Sequence, residues 1–161
     1  MTQDRAGTRP KDCPGQAAGA TVQVIVVGLD GSPTSWNAFC WAAGEAARGN
    51  GRLIAVYATP LTGPFVPADV PFDYAATEQA WRETAGQLAD EAAQRANEMD
   101  VPLSFVRESG DIIRALISVA RSAGADLVVV GRSAKMLHHL AGSAGKRLVC
   151  RQDAPVPVVV P

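Results

Sequence analysis

The chain has 161 residues, which is enough for one domain with a hydrophobic core. Apolar residues make up 47% and charged residues 19% of it, a balance typical of a globular protein. A net charge of −1 gives no overall attraction to nucleic acid, and no apolar run reaches the roughly 20 residues that a membrane helix needs. We therefore expect no nucleic-acid partner and no membrane association.

The N-terminal residues 1–20 read MTQDRAGTRPKDCPGQAAGA and lack the apolar segment of a signal peptide. We interpret them as a disordered tail before a single domain, residues 21–161, in a cytoplasmic protein. The spacing of Cys13, Cys40 and Cys150 fits neither a zinc site nor a disulfide framework, so no metal site is expected. Cys40 stands among apolar residues, which predicts a small core side chain.

The first half of the domain alternates strand and helix. Residues 22–28, VQVIVVG, are β-branched and nearly all apolar, as in a strand buried on both faces. Ser32 is predicted to cap the next helix and Pro33 to open it, and a second strand follows at residues 52–58. The positions that repeat at helical spacing are Ala38, Trp41, Ala42, Glu45 and Ala46.

A long helix follows a proline-rich loop. Four prolines between residues 60 and 71 exclude regular structure there, and residues 75–99 then show helical periodicity. The apolar stripe of this helix is Trp81, Ala85, Leu88, Ala92 and Ala96.

The remaining elements continue the alternation. Residues 101–108 predict a third strand, and GDIIRALISVARSAGA predicts a helix that Asp111 caps. Its inward positions are Ile113, Leu116, Ile117 and Ala120. The segment DLVVVG predicts a fourth strand and, after a last helix, APVPVVVP predicts the fifth.

Five strands that alternate with four helices predict a three-layer α/β domain around an open parallel sheet. In such a sheet a ligand binds at the carboxyl ends of the strands, where the strand order reverses. We therefore expect the loops after the first and fourth strands, near Asp30 and Gly131, to meet at one edge of the sheet.

Charge is unevenly distributed in the C-terminal part. No Asp or Glu occurs from Leu127 to Gln152. The cations in this stretch are Arg132, Lys135, Lys146, Arg147 and Arg151. An acid-free basic stretch favours a bound anion, and a solvated surface is the alternative.

Three segments carry a family resemblance: VIVVGLDGSPTSWNAFCWAAGEAA, GDIIRALISVARSAGADLVVVGRS and GSAGKRLVCRQDAPVPVVV. Together, over residues 22–160, they resemble the universal stress proteins of the UspA family. The resemblance implies a flavodoxin-like or Rossmann-like fold of the adenine nucleotide alpha-hydrolase-like type, with strand order 3-2-1-4-5. It also implies a homodimer through the last strand, whose apolar side chains here are Val156, Val158 and Val160.

ATP-binding members of this family carry a motif after strand four: Gly, two residues, Gly, nine residues, then Gly-Ser or Gly-Thr. Here Gly131 matches the first glycine, Ala134 replaces the second, and only seven residues separate Ala134 from Gly142. Pro155 lies thirteen residues past Gly142, as the family spacing requires, so the shortening falls in the loop. The start of the last helix, Gly142-Ser143-Ala144, still offers N–H groups to an anion.

The resemblance implies ATP or another adenine nucleotide as ligand. It places Asp30 at the ribose or adenine, and Ala58 where a backbone group contacts the adenine. The implied binding residues are Gly28, Leu29, Asp30, Ala58, Val130, Gly131, Ala134, Gly142, Ser143 and Ala144. For Asp30 the alternative is a turn role, in which its carboxylate accepts from nearby N–H groups.

Two hypotheses about function remain open. The first is a cytoplasmic stress-response regulatory protein that binds an adenine nucleotide in the loops after strands one and four. The second is a dimeric interaction module of the same fold that has lost ATP binding because its phosphate loop is altered. An enzyme ranks third: no nucleophile elbow or paired carboxylates are found, so no catalytic residues are expected and any ATP hydrolysis would be slow and incidental.

Overall fold

In the computed structural model, which describes residues 22–59, 73–131 and 156–160, strands and helices alternate along the chain. The strands are β1 Val24–Gly28, β2 Arg52–Thr59, β3 Leu103–Ser109, β4 Leu127–Gly131 and β5 Val156–Val160. The helices are α1 Pro33–Arg48, α2 Tyr74–Glu98 and α3 Ile112–Ala123. The predicted tail, proline-rich loop and last helix lie outside the described residues.

The five strands form one parallel sheet in the order β3-β2-β1-β4-β5, which confirms the expected topology. β1 lies at the centre, where Val26 stands opposite Ile54 of β2 and Val128 of β4. Because all strands run in the same direction, their carboxyl ends share one edge of the sheet. Both loops named by the sequence leave from that edge.

The helices cover both faces of the sheet. Side chains alternate along β1, so that Ile25 and Val27 pack in the core cluster of α1 and α2, whereas Val24 and Val26 pack in that of α3. All five residues of β1 are buried, as the sequence predicts for a strand between two layers. In the described parts of the chain, no helix is both long enough and apolar enough to cross a membrane.

The three helices begin at side-chain caps. The Ser32 hydroxyl accepts from the Ser35 N–H at 3.2 Å and Pro33 is the first helical residue, as predicted. The Asp111 carboxylate accepts from the Arg114 N–H at 3.0 Å, which confirms the predicted cap of α3. Each cap satisfies a backbone donor that the helix itself leaves without a partner.

Two inward positions predicted for α1 are wrong. Cys40 is exposed, and Trp41 is 38% exposed. Successive residues of a helix point about 100° apart, and the adjacent Phe39 takes the inward direction instead. The buried apolar face of α1 is Ala38, Phe39, Ala42, Ala43 and Ala46.

Candidate functional site

The site begins where β1 ends. The Leu29 N–H donates to the Val56 carbonyl at 2.9 Å, which extends the pairing with β2 by one residue. Leu29 is buried, whereas the next residue, Asp30, is exposed at the carboxyl edge of the sheet. The polypeptide then turns through Gly31 into the cap of α1. The first polar side chain after the central strand therefore lies at the edge where ligands bind in folds of this kind.

Asp30 is held by a small hydrogen-bond network. The Ser32 N–H donates to Asp30 Oδ1 at 3.0 Å, and the Asp30 N–H donates to Ser35 Oγ at 3.3 Å. The turn role considered for Asp30 is therefore present. It engages one carboxylate oxygen, and Oδ2 accepts no hydrogen bond from any residue in the described ranges. The turn thus orients the carboxylate and leaves one oxygen for a ligand.

The electrostatics of the turn keep Asp30 ionised. Partial burial of the carboxyl group, the largest single influence, disfavours the charged form, but nearby polar groups act against it. These are the hydroxyls of Ser32 and Ser35 and the backbone N–H groups of Ser32 and Asp30, and together they hold the pKa of Asp30 below its ordinary value. At neutral pH the free oxygen is therefore a negatively charged acceptor, suited to a hydroxyl or amine donor and unfavourable for a phosphate.

The end of β4 packs against this turn. A Cβ atom at Gly131 would lie 2.3 Å from the Thr34 carbonyl oxygen and 2.8 Å from the Ser35 nitrogen. Only glycine allows two backbone segments to approach so closely. The structure therefore brings Gly131 and the first turn of α1 together, so the loops after β1 and β4 leave from neighbouring points.

On the other side of β1, the backbone groups of Ala58 lie beyond the end of that strand. The backbone hydrogen-bonding groups of successive residues alternate in direction along a strand. The Val56 carbonyl faces β1, whereas the Thr59 carbonyl faces β3 and accepts from the Gly110 N–H at 2.7 Å. Ala58 therefore faces β1, but β1 has already ended opposite Val56. Neither its N–H nor its C=O has a hydrogen-bond partner in residues 22–59 or 73–131. A donor and an acceptor thus lie side by side at the edge, beyond the end of β1.

A depression of about 320 Å³ adjoins Ala58 on the β3 side. It is lined by Glu108, Ser109, Gly110, Asp111, Arg114, Ala115 and Ser118, and Glu108 is the register partner of Ala58. Two carboxylates and one guanidinium give this side no excess of positive charge for a phosphate. Within the part of the chain that the structure describes, no three metal-binding side chains cluster.

The remaining predicted site residues divide into two groups. Leu29 and Val130 are buried in the core clusters, so only their backbone groups could contact a ligand. Gly28 ends β1 and is buried as well. The four predicted phosphate-loop and helix-start positions lie outside the described residues: Ala134, Gly142, Ser143 and Ala144.

Sequence reasoning missed two buried polar residues at this edge. Ser35 is 4% exposed and Thr59 is 1% exposed. The Thr59 hydroxyl donates to the Glu108 carbonyl at 3.3 Å, which ties the ends of β2 and β3 together. The burial of Ser35 could have been predicted from its position, because it lies three residues after the cap Ser32, on the inward side of the first helical turn.

The family model of the universal stress proteins matches residues 21–160. The chain belongs to the universal stress protein family. A universal stress protein of Mycobacterium tuberculosis is 34% identical over an alignment of 145 positions, which covers 84% of this chain and 47% of the relative. This family member thus spans about half the length of the curated relatives it matches.

Solved structures of the family share the fold. A universal stress protein from Burkholderia pseudomallei is 27% identical, with a TM-score of 0.66 over 86% of this chain and 96% of its own. A universal stress protein solved in complex with cAMP is 26% identical, with a TM-score of 0.63 over 86% of this chain and 97% of its own. The α/β fold expected from the sequence is therefore that of the family.

Proposed function

We propose that the chain binds an adenine nucleotide at the carboxyl edge of the sheet, and that it acts as a cytoplasmic stress-response regulator and not as an enzyme. The observation that carries the proposal is the N–H and C=O of Ala58, which have no hydrogen-bond partner in residues 22–59 or 73–131. Adenine presents an acceptor, N1, beside a donor, the N6 amino group, and this pattern complements the two groups of Ala58. The relative solved in complex with cAMP supports the same ligand class.

Asp30 would contact the ribose. Its free Oδ2 is an ionised acceptor, and a ribose hydroxyl is a donor of matching chemistry. The phosphates would then point away from Asp30 towards the β4 side. The sequence from Leu127 to Gln152, which begins with β4, is free of Asp and Glu and carries five cations, and Gly142-Ser143 is predicted to open a helix.

Calorimetric titration with AMP, cAMP and ATP tests the proposal, with GMP as the matched control. Guanine presents an acceptor, O6, and a donor, N1–H, in the reverse order, so it would leave both groups of Ala58 without partners. We expect adenine nucleotides to bind roughly 10-fold more tightly than GMP, or better, because unsatisfied polar groups cost about 1–3 kcal/mol each. No heat with any nucleotide at millimolar concentration would contradict nucleotide binding, and equal binding of GMP would contradict the role of Ala58.

A second candidate function is an interaction module without a nucleotide. It is favoured by the loop between Ala134 and Gly142, which is two residues shorter than the family motif. The variant Asp30→Ala distinguishes the two functions. If the site is as proposed, AMP affinity falls about 10-fold, the loss of one charged hydrogen bond. If anions are held only by general attraction to the basic stretch, the variant binds as the wild type does and added salt abolishes binding.

We further propose a homodimer formed through β5. This strand lies at the edge of the sheet and pairs on one side with β4, and its sequence, VPVVV, has Pro157 at the second position. Proline lacks a backbone donor, so the contact would depend mainly on the side chains of Val156, Val158 and Val160. Sedimentation at micromolar concentration should show a dimer, and a monomer there would rule this interface out.

A further inference from the structure

Ser35 is a buried polar residue whose hydroxyl serves the turn of Asp30. It donates to the Ser32 carbonyl at 2.9 Å and accepts from the Asp30 N–H at 3.3 Å. It therefore joins the two ends of the turn from Asp30 to Ser32. Backbone groups alternate in direction along β1, so the Asp30 N–H points to the β4 side. The register of β1 with β4 ends at Val27, and the Ser35 hydroxyl takes the place of a strand partner.

Ser35 also lies at the contact between the two loops of the site. Its backbone nitrogen would be 2.8 Å from a Cβ atom at Gly131, so the end of β4 packs directly on this residue. Its N–H donates to the Ser32 hydroxyl, which caps α1. One residue thus contacts the Asp30 turn, the helix cap and the exit of β4.

We propose that Ser35 is the positioning residue of the nucleotide site: its hydroxyl fixes the turn that directs the free oxygen of Asp30 towards the ligand. This inference rests on the function proposed above. Ser35 itself is buried, so a ligand at the surface of the site would not reach its side chain. Its effect on binding passes through the geometry and charge of Asp30.

The effect of Ser35 on Asp30 can be measured without a ligand. Partial burial works against the ionised form of Asp30, and the Ser35 hydroxyl is one of the groups that counteract it. Without that hydroxyl, the pKa of the Asp30 carboxyl should rise towards its ordinary value. A purely structural serine elsewhere in a helix would leave the titration of Asp30 unchanged.

The test compares Ser35→Ala with Ser122→Ala. Ser122 is exposed on α3, and its hydroxyl likewise donates to a carbonyl of its own helix, that of Ser118, at 3.0 Å. Carbon-detected NMR follows the Asp30 carboxyl through a pH titration of each ligand-free protein, and calorimetry gives its affinity for AMP. In Ser35→Ala we expect Asp30 to titrate at a higher pH than in the wild type. We also expect the affinity for AMP to fall about 5-fold, which is the change typical of the loss of one hydrogen bond. Ser122→Ala should match the wild type in both.

A further variant, Ser35→Thr, keeps the hydroxyl and should restore the low titration of Asp30. If Ser35→Ala does not fold, Ser35→Cys, which has nearly the shape of serine and a weaker donor, replaces it. An Asp30 titration in the hydroxyl-free variant that superimposes on the wild type, or unchanged AMP affinity, overturns the proposal. If the wild type binds no nucleotide, the proposed function fails, whereas the ligand-free titration still decides whether Ser35 holds Asp30.

Discussion

The loops after β1 and β3 use the same two residue types for different purposes. Each places an aspartate beside a glycine of positive φ at the carboxyl edge, Gly31 at 82° and Gly110 at 112°, and each leads into a helix. In the β1 loop the order is Asp-Gly-Ser and Ser32 caps the helix. In the β3 loop the order is Gly-Asp and Asp111 is the cap.

The position of the cap determines what each carboxylate does. Asp111 Oδ1 accepts from the Arg114 N–H and so stabilises the first turn of α3. Because Ser32 performs that task for α1, Asp30 is left outside the helix, and one of its oxygens is unengaged by any residue that the structure describes. An aspartate at a strand end is therefore interpreted as a ligand group only after the residue that caps the next helix is known.

The largest expected effect comes from the contact that only the β1 loop makes with β4. In Gly131→Ala the new methyl group meets the Thr34 backbone at 2.3 Å, so two backbone segments must separate. We expect a loss of roughly 2–3 kcal/mol in the free energy of unfolding, measured by urea denaturation.

Gly86→Ala provides the control for that substitution. A Cβ atom at Gly86 in α2 would meet nothing within 4 Å, and alanine favours the helix, so the same change should stabilise by about 0.5–1 kcal/mol. If the two variants had similar stability, the packing of β4 on the first turn of α1 would be disproved.

A smaller difference in folding stability is expected between the alanine variants of the two aspartates. Asp111→Ala removes a helix cap and should cost about 1 kcal/mol of stability, whereas Asp30→Ala leaves the cap Ser32 in place and should cost about half of that or less. Thermal and urea unfolding of both variants measure the difference. Equal losses of stability in the two variants would mean that Asp30 stabilises the fold as much as Asp111 does, contrary to the roles described above.

The smallest effect is on the pH dependence of stability. The pKa of Asp30 is lower in the folded protein than its ordinary value, so its ionised form stabilises the fold above the unfolded pKa, and this contribution disappears as the pH falls through the folded pKa. Asp30→Asn keeps the acceptor for the Ser32 N–H but cannot ionise. Its stability should therefore decline less than that of the wild type below about pH 4, followed by urea denaturation from pH 7 to pH 2.5. Parallel curves for the two proteins would contradict the lowered pKa.

Local sequence patterns were sufficient for much of the fold. The continuous β-branched run of β1, the Ser32-Pro33 start of α1 and the Asp111 cap are short-range signals, and each is confirmed. The strand order came from the family resemblance, since the pairing of distant strands leaves no mark in a local pattern. It too is confirmed.

The features that the sequence did not predict depend on contacts between distant segments. Cys40 and Phe39 are neighbours, and only the packing of α1 on the sheet decides that Phe39 is buried and Cys40 exposed. The free backbone groups of Ala58 depend on where β1 stops relative to β2. The closeness of Gly131 to Thr34 likewise arises from residues almost one hundred positions apart in the chain.

The position of Ala58 beyond the end of β1 also bears on how this site can diverge. Every residue except proline supplies the same N–H and C=O, so side-chain substitutions at position 58 leave the recognition of the base unaltered. What creates the site is a difference in strand length, since β1 ends opposite Val56 while β2 continues to Thr59. An insertion that lengthened β1 would pair Ala58 and close the site. We therefore expect changes of ligand among relatives to accompany insertions and deletions next to position 29, with little dependence on the residue at position 58.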